Sequence, residues 1–139
     1  MKSKQRRISM IYCASVLALS LTACGGMIKK KSPEEAIRER AAERWSYLIK
    51  GDMRKAYEMS SPSTRAVLSF EQYRGRFGGA VTWRSTEIAS VACEADKCVA
   101  NVHILAEPLL GTKFGNTLST YVDETWLLED GQWWFFQKL

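Results

Sequence analysis

Asp130-Gly131 sits between two runs rich in β-branched and aromatic residues, Thr120–Glu129 and Gln132–Lys138. A two-residue Asp-Gly link is the strongest short-range signal for a tight β-hairpin, because its backbone tolerates the positive φ angles the turn demands. It also fixes a register. Directly opposed residues share a face, so Leu128 opposes Trp133, Trp126 opposes Phe135 and Glu124 opposes Gln137. One face then carries Val122, Glu124, Trp126, Leu128, Trp133, Phe135 and Gln137, and is the expected core side. The other carries Tyr121, Asp123, Thr125, Leu127, Trp134, Phe136 and Lys138. It holds two large aromatics more than a solvated face needs.

A second hairpin is expected upstream, from Val81–Cys93 and Cys98–Glu107. The stretch Glu107–Ser119, with Pro108, Gly111 and Gly115, reads as a loop or irregular crossing. The first half of the chain has a different period. Ser32-Pro33-Glu34-Glu35 is a helix start, with Ser as cap, Pro at the first helical position and Glu35 completing a capping box. Ile37, Ala41, Trp45 and Leu48 follow at helical spacing, Glu34 and Arg38 can pair on the outer face, and Gly51 supplies the stop. Asp52 caps a second helix over Met53–Met59, with Ala56 and Tyr57 facing inward. Ser61-Pro62 opens another turn that buries Val67 and Leu68. Ser69-Phe70-Glu71-Gln72 repeats the capping-box pattern and opens a helix ending near Gly78-Gly79.

Helices followed by antiparallel hairpins define an α+β chain, with N-terminal helices packed on a curved antiparallel sheet over residues 32–139. The stretch Gly51-Asp52-Met53-Arg54-Lys55-Ala56-Tyr57, the following Ser60-Ser61-Pro62-Ser63-Thr64-Arg65, and the closing Leu128-Glu129-Asp130-Gly131-Gln132-Trp133 resemble nuclear transport factor 2-like domains. The resemblance covers roughly Pro33 to Leu139. It implies a cone, in which the sheet wraps a long helix and often holds a pocket. Members of that superfamily include enzymes, secretion-apparatus domains and binding modules, so the fold names no activity.

The start of the chain carries a separate signal. Met1–Arg7 is basic, and Ile8–Leu21 is mostly apolar but too short to span a bilayer comfortably. Leu21-Thr22-Ala23-Cys24 resembles the bacterial lipobox. That resemblance implies a signal peptide over residues 1–23, removal before Cys24, and diacylglyceryl and N-acyl (palmitate-type) chains on Cys24 as the only covalent group. No cofactor or metal is expected. Residues 24–31 would be a lipidated tether of at most about 25 Å, with Lys29-Lys30-Lys31 near the headgroups. Gly25 after the Cys favours the outer membrane over inner-membrane retention, facing the periplasm. Four of the 20 basic residues lie in residues 1–23 and none of the 15 acidic ones, so the remaining chain has a net charge of +1 against +5 for the whole. The basic excess thus belongs to the export signal and is no footprint for nucleic acid.

Of the four cysteines, Cys13 lies in the signal and Cys24 in the lipobox. In an oxidising compartment Cys93 and Cys98 can bridge across their hairpin. A zinc site needs four ligands and His103 is the only His in the chain. The Cys spacing is not that of a Cys-x-x-Cys redox pair.

Two classes of function remain. An isomerase- or dehydratase-type enzyme would use a pocket carboxylate, with Glu124 and His103 as weak catalytic candidates and Tyr47, Tyr57 or Tyr121 as donors. The competing reading has Glu124 paired with an arginine such as Arg84, or in water at the sheet end, and His103 structural. A binding or assembly module would use the aromatic excess at Trp45, Tyr57, Trp126, Trp133, Trp134 and Phe136. Trp134 and Phe136 would form a protein-partner or homodimer surface through the sheet. Leu109, Leu110 and Phe114 would form a further apolar tip or a lid on the cone. The non-catalytic module is the favoured expectation.

Overall fold

The computed structural model describes residues 31–77, 81–109 and 117–138. The signal segment, Cys24, the tether before Lys31, Gly78-Gly79, and the Leu110 and Phe114 part of the apolar tip lie outside the described residues. Four helices precede four strands: α1 (Pro33–Lys50), α2 (Met53–Glu58), α3 (Pro62–Val67), α4 (Phe70–Gly75), then β1 (Val81–Glu94), β2 (Lys97–Pro108), β3 (Leu118–Glu129) and β4 (Gln132–Phe136). The strands form one antiparallel sheet in the order β1-β2-β3-β4. The chain is therefore α+β, with helices packed against an open sheet.

Each helix starts where its capping chemistry places it. Ser32 and Ser69 both make reciprocal capping boxes, with Glu35 and Gln72. Asp52 and Ser61 cap α2 and α3 through their side chains. These bonds satisfy amide groups that the first helical turn leaves without partners. Gly51 closes α1 at φ 77°, a left-handed conformation that favours glycine. No described helix is long and apolar enough to cross a membrane.

The Asp130-Gly131 hairpin has the expected register: Leu128 opposes Trp133 and Trp126 opposes Phe135. Asp130 and Gly131 both have positive φ, 52° and 76°. In the first hairpin Cys93 opposes Cys98, at a Cα–Cα distance of 4.0 Å and at disulfide distance between the sulfurs. Register shifts after Trp83 and Ile88 bend β1. Beyond β4 the sheet is extended by a single bridge, Ser60 to Phe135, so the α2–α3 connection covers part of that edge.

The core lies between α1 and the inner sheet face. Ile37, Ala41, Trp45 and Leu48 from the helix meet Val102, Ile104, Trp126 and Phe135 from the strands. Two expectations fail. Val67 is 63% exposed. α3 is only six residues long, and Leu68, just past it, takes the core position. Glu34 and Arg38 do not pair. Arg38 instead donates a hydrogen bond to the Ile88 carbonyl of β1, beside its second irregularity. A part-buried carbonyl is a better target for the guanidinium than a solvated carboxylate.

Trp126 is fully buried. Trp126→Ala should cost about 3–5 kcal/mol by leaving a large cavity, whereas Val67→Ser should stay within about 0.5 kcal/mol. Urea unfolding of both variants checks the contrast.

Candidate functional site

The α1 stripe contains a fifth buried member. Arg44 follows Ala41 by three positions and precedes Leu48 by four, so it projects from the same face as the apolar residues. Its exposure is 2%, and that of Glu124 on the inner face of β3 is 5%. The Arg44 Nη1 donates to Glu124 Oε1. Arg44 Nη2 donates to the hydroxyl of fully buried Tyr73 at 3.3 Å. The guanidinium carbon lies 3.7 Å from the Phe135 ring centroid, a cation–π arrangement that supplies further electrostatic stabilisation in a desolvated setting. Four groups from α1, α4, β3 and β4 thus meet inside the core.

Their polar capacity is only partly used. Glu124 Oε2, Arg44 Nε and the indole Nε1 atoms of Trp45 and Trp126 are buried without hydrogen-bond partners. The two indoles lie close enough to favour the charged carboxylate, but neither reaches it in hydrogen-bond geometry. Burial pushes the Glu124 carboxyl above its ordinary value, and the Arg44 guanidinium opposes that rise. Desolvation prevails because one carboxylate oxygen has no donor. Burial likewise raises Tyr73, again against Arg44.

Glu124 is therefore inward, as its register requires, but its partner is Arg44. Arg84, offered as a partner from the sequence, instead pairs with exposed Glu107 on the neighbouring strand. Nor does Glu124 reach water at the sheet end. His103 is not brought to it. That ring belongs to the outer face, bonded to Ser119 Oγ at 2.8 Å and stacked on Tyr121 at 4.6 Å. Tyr47 donates to Glu43, and Tyr57 donates to the Leu68 carbonyl, both at 2.8 Å. Among the described residues no three His, Cys, Asp or Glu side chains converge to hold a metal ion.

The aromatic candidates divide by position. Trp45 packs edge-on against Trp83 in the core, at 5.5 Å between centroids. Trp126 is buried in the core, and half-buried Tyr57 packs against it. Trp133 is half-buried and, with Leu128, lines an apolar groove of about 420 Å³. Trp134 is half-buried, with the guanidinium carbons of Arg65 and Arg40 at 5.3 and 5.9 Å from its ring centroid. Phe136 is exposed at the edge of a second groove, shared with Asp123, Thr125 and Lys138. The outer sheet face thus offers Tyr121, Phe136 and part of Trp134 and Leu127 to solvent.

No protein-family model matches the chain, and neither does any curated protein sequence. Among solved structures it is similar to a SEC-C motif-containing protein of Rhodopseudomonas palustris, at 14% identity and a TM-score of 0.55 over 76% of both chains. It is also similar to a Campylobacter jejuni protein named as an NTF2-like transpeptidase, at 13% identity and a TM-score of 0.46, over 72% of this chain and 96% of that one. The first likeness shows a shared fold and carries no chemistry with it.

Removing one partner from a buried ion pair strands the other, typically at a cost of about 3–5 kcal/mol. Arg44→Met should show this loss, and Arg44→Met with Glu124→Leu should recover much of it. The pH dependence has a definite sign. The folded-state carboxyl lies above its ordinary value of 4.5, so its proton favours the fold. That contribution is complete below 4.5 and is lost as pH rises through the folded value. Removing Arg44 raises the carboxyl further. The Arg44→Met deficit should therefore be smaller at about pH 4 than at pH 7, as measured by urea unfolding at both.

Proposed function

We propose that this chain is an envelope lipoprotein whose α+β domain is a non-catalytic binding or assembly module, of nuclear transport factor 2-like cone type. The observation that carries the anchor is Leu21-Thr22-Ala23-Cys24 directly after a short apolar run with a basic start. A diacylglyceryl group and an N-acyl chain on Cys24 supply more than one acyl chain. That is what stable attachment requires, since each buried methylene contributes only about 0.8 kcal/mol. Gly25 favours the outer membrane and a periplasmic domain. In that compartment a Cys93–Cys98 bridge would persist and pin the first hairpin.

Two features support a module over an enzyme. A general base must reach a substrate proton, whereas Glu124 is enclosed by Arg44, Tyr73 and aromatic rings. On the outside, exposed Tyr121 and Phe136 share a sheet face by register, and Phe136 borders a groove with charged Asp123 and Lys138. Aromatic anchors ringed by polar groups are the composition of a protein-binding patch. The partner is then another envelope protein or a second copy of this chain.

Cys24→Ser should abolish incorporation of labelled fatty acid and release the domain from membranes. Persistent labelling would overturn the anchor. Phe136→Ala should weaken self-association or partner capture about tenfold, the effect of losing roughly 1.4 kcal/mol at an interface. Unfolding stability should stay nearly constant.

A further inference from the structure

At the end of the domain where α1 begins, an apolar groove of about 420 Å³ opens between that helix and both hairpin tips. Its lining includes Pro33 and Ala36 from the helix, Ala95 from the first turn, and Leu128 and Trp133 from the second hairpin, with Lys31 at its rim. A hydrogen bond from Leu128 N to Asp96 O at 2.8 Å ties the two tips together, so the groove walls are one unit. Leu128 is 38% exposed and Trp133 half-buried. These side chains sit on the core face of the sheet, yet lie beyond the part that α1 covers.

Three acidic residues adjoin the lining. Glu34 follows Pro33, Asp96 follows Ala95, and Asp130 precedes Gly131 at the second tip. All three are exposed. Apolar walls inside an anionic rim disfavour an anionic membrane surface. They suit a short segment carrying apolar and cationic residues together. The chain itself enters at the groove through Lys31, and the residues before it read Met27-Ile28-Lys29-Lys30.

We propose that the groove receives the chain's own segment Met27–Lys30, with Met27 and Ile28 against Leu128 and Trp133 and the lysines over the acidic rim. Ile28 is three residues from Lys31, within about 10 Å of extended chain, so the site is in reach without rearranging the domain. A segment joined by so short a link has a high effective concentration, so modest contacts suffice. This docking goes beyond the anchor reading and does not depend on acylation of Cys24. Where both hold, Gly25 and Gly26 are the only free links between lipid and domain. The domain is then held in one orientation against the membrane.

The test places a benzophenone amino acid at position 28 of the full chain, both as isolated from membranes and in a Cys24→Ser background that cannot be acylated. The expected product is an intramolecular crosslink mapped to Ala36, Leu128 or Trp133. Crosslinks to lipid, crosslinks to another protein, or no crosslink would each overturn the proposal. A second measurement uses the same full chain. Ile28→Asp should speed tryptic cleavage after Lys29 and Lys30 at least about fivefold, because cleavage follows the open population, while Ile28→Leu should not. Equal rates for the two variants would also overturn it.

Discussion

The Arg44–Glu124 pair joins the longest helix to the third strand at the centre of the core. A buried ion pair is a poor source of net stability, since desolvation consumes much of the Coulomb attraction. Its effect is on geometry. Sliding α1 along the sheet, or rotating it, would leave one charge buried and alone, a cost that adds to that of mispacked apolar contacts. Tyr73 and Phe135 complete the enclosure, through a hydrogen bond and a ring face. The position of α1 therefore specifies where α4 and β4 can lie.

Much of this architecture was legible because local rules and the global fold agree. Ser32, Ser69 and Asp52 cap the helices they precede, and Asp130-Gly131 sets the register of the last hairpin. The misses fall where a side chain answers to distant chain. Val67 has apolar chemistry but is the last residue of α3 and faces solvent, while Thr64 and the capping Leu68 are the residues that turn inward. Arg38 prefers a strand carbonyl fifty residues away to its local carboxylate. Arg44 is the most instructive case. Its spacing from Ala41 and Leu48 places it on the apolar face, and only the usual exposure of arginine argues otherwise. The inward register of Glu124 calls for a buried cation, and the α1 stripe holds one. Arg84 lies in β1 itself, but its side chain stays in solvent with Glu107.

The same pair bears on activity. A carboxyl raised by burial is a familiar mark of a functional site, but structural ion pairs perturb titration as well. What separates the cases is access. The raised carboxyl of Glu124 faces aromatic rings and a guanidinium, and His103 stands on the opposite face of the sheet with Tyr121. The two side chains that sequence reasoning offered for acid–base work are divided by the sheet itself. Chemistry that required both would need a different strand register, and the hairpin turns forbid that slip.

With Glu124 enclosed, two surfaces of the described residues stand out. The outer sheet face carries exposed aromatics among charges. The groove at the hairpin tips lies where the chain enters from Lys31. On the proposed reading these surfaces divide the work, one fixing the domain to its own tether and the other presenting Phe136 and Tyr121. A flexible tether would let the sheet face sample every direction, lowering its effective concentration toward a fixed partner. A docked tether restricts that sampling. Orientation would then be set by residues outside the binding patch, and partner affinity would respond to changes at Ile28 as well as at Phe136.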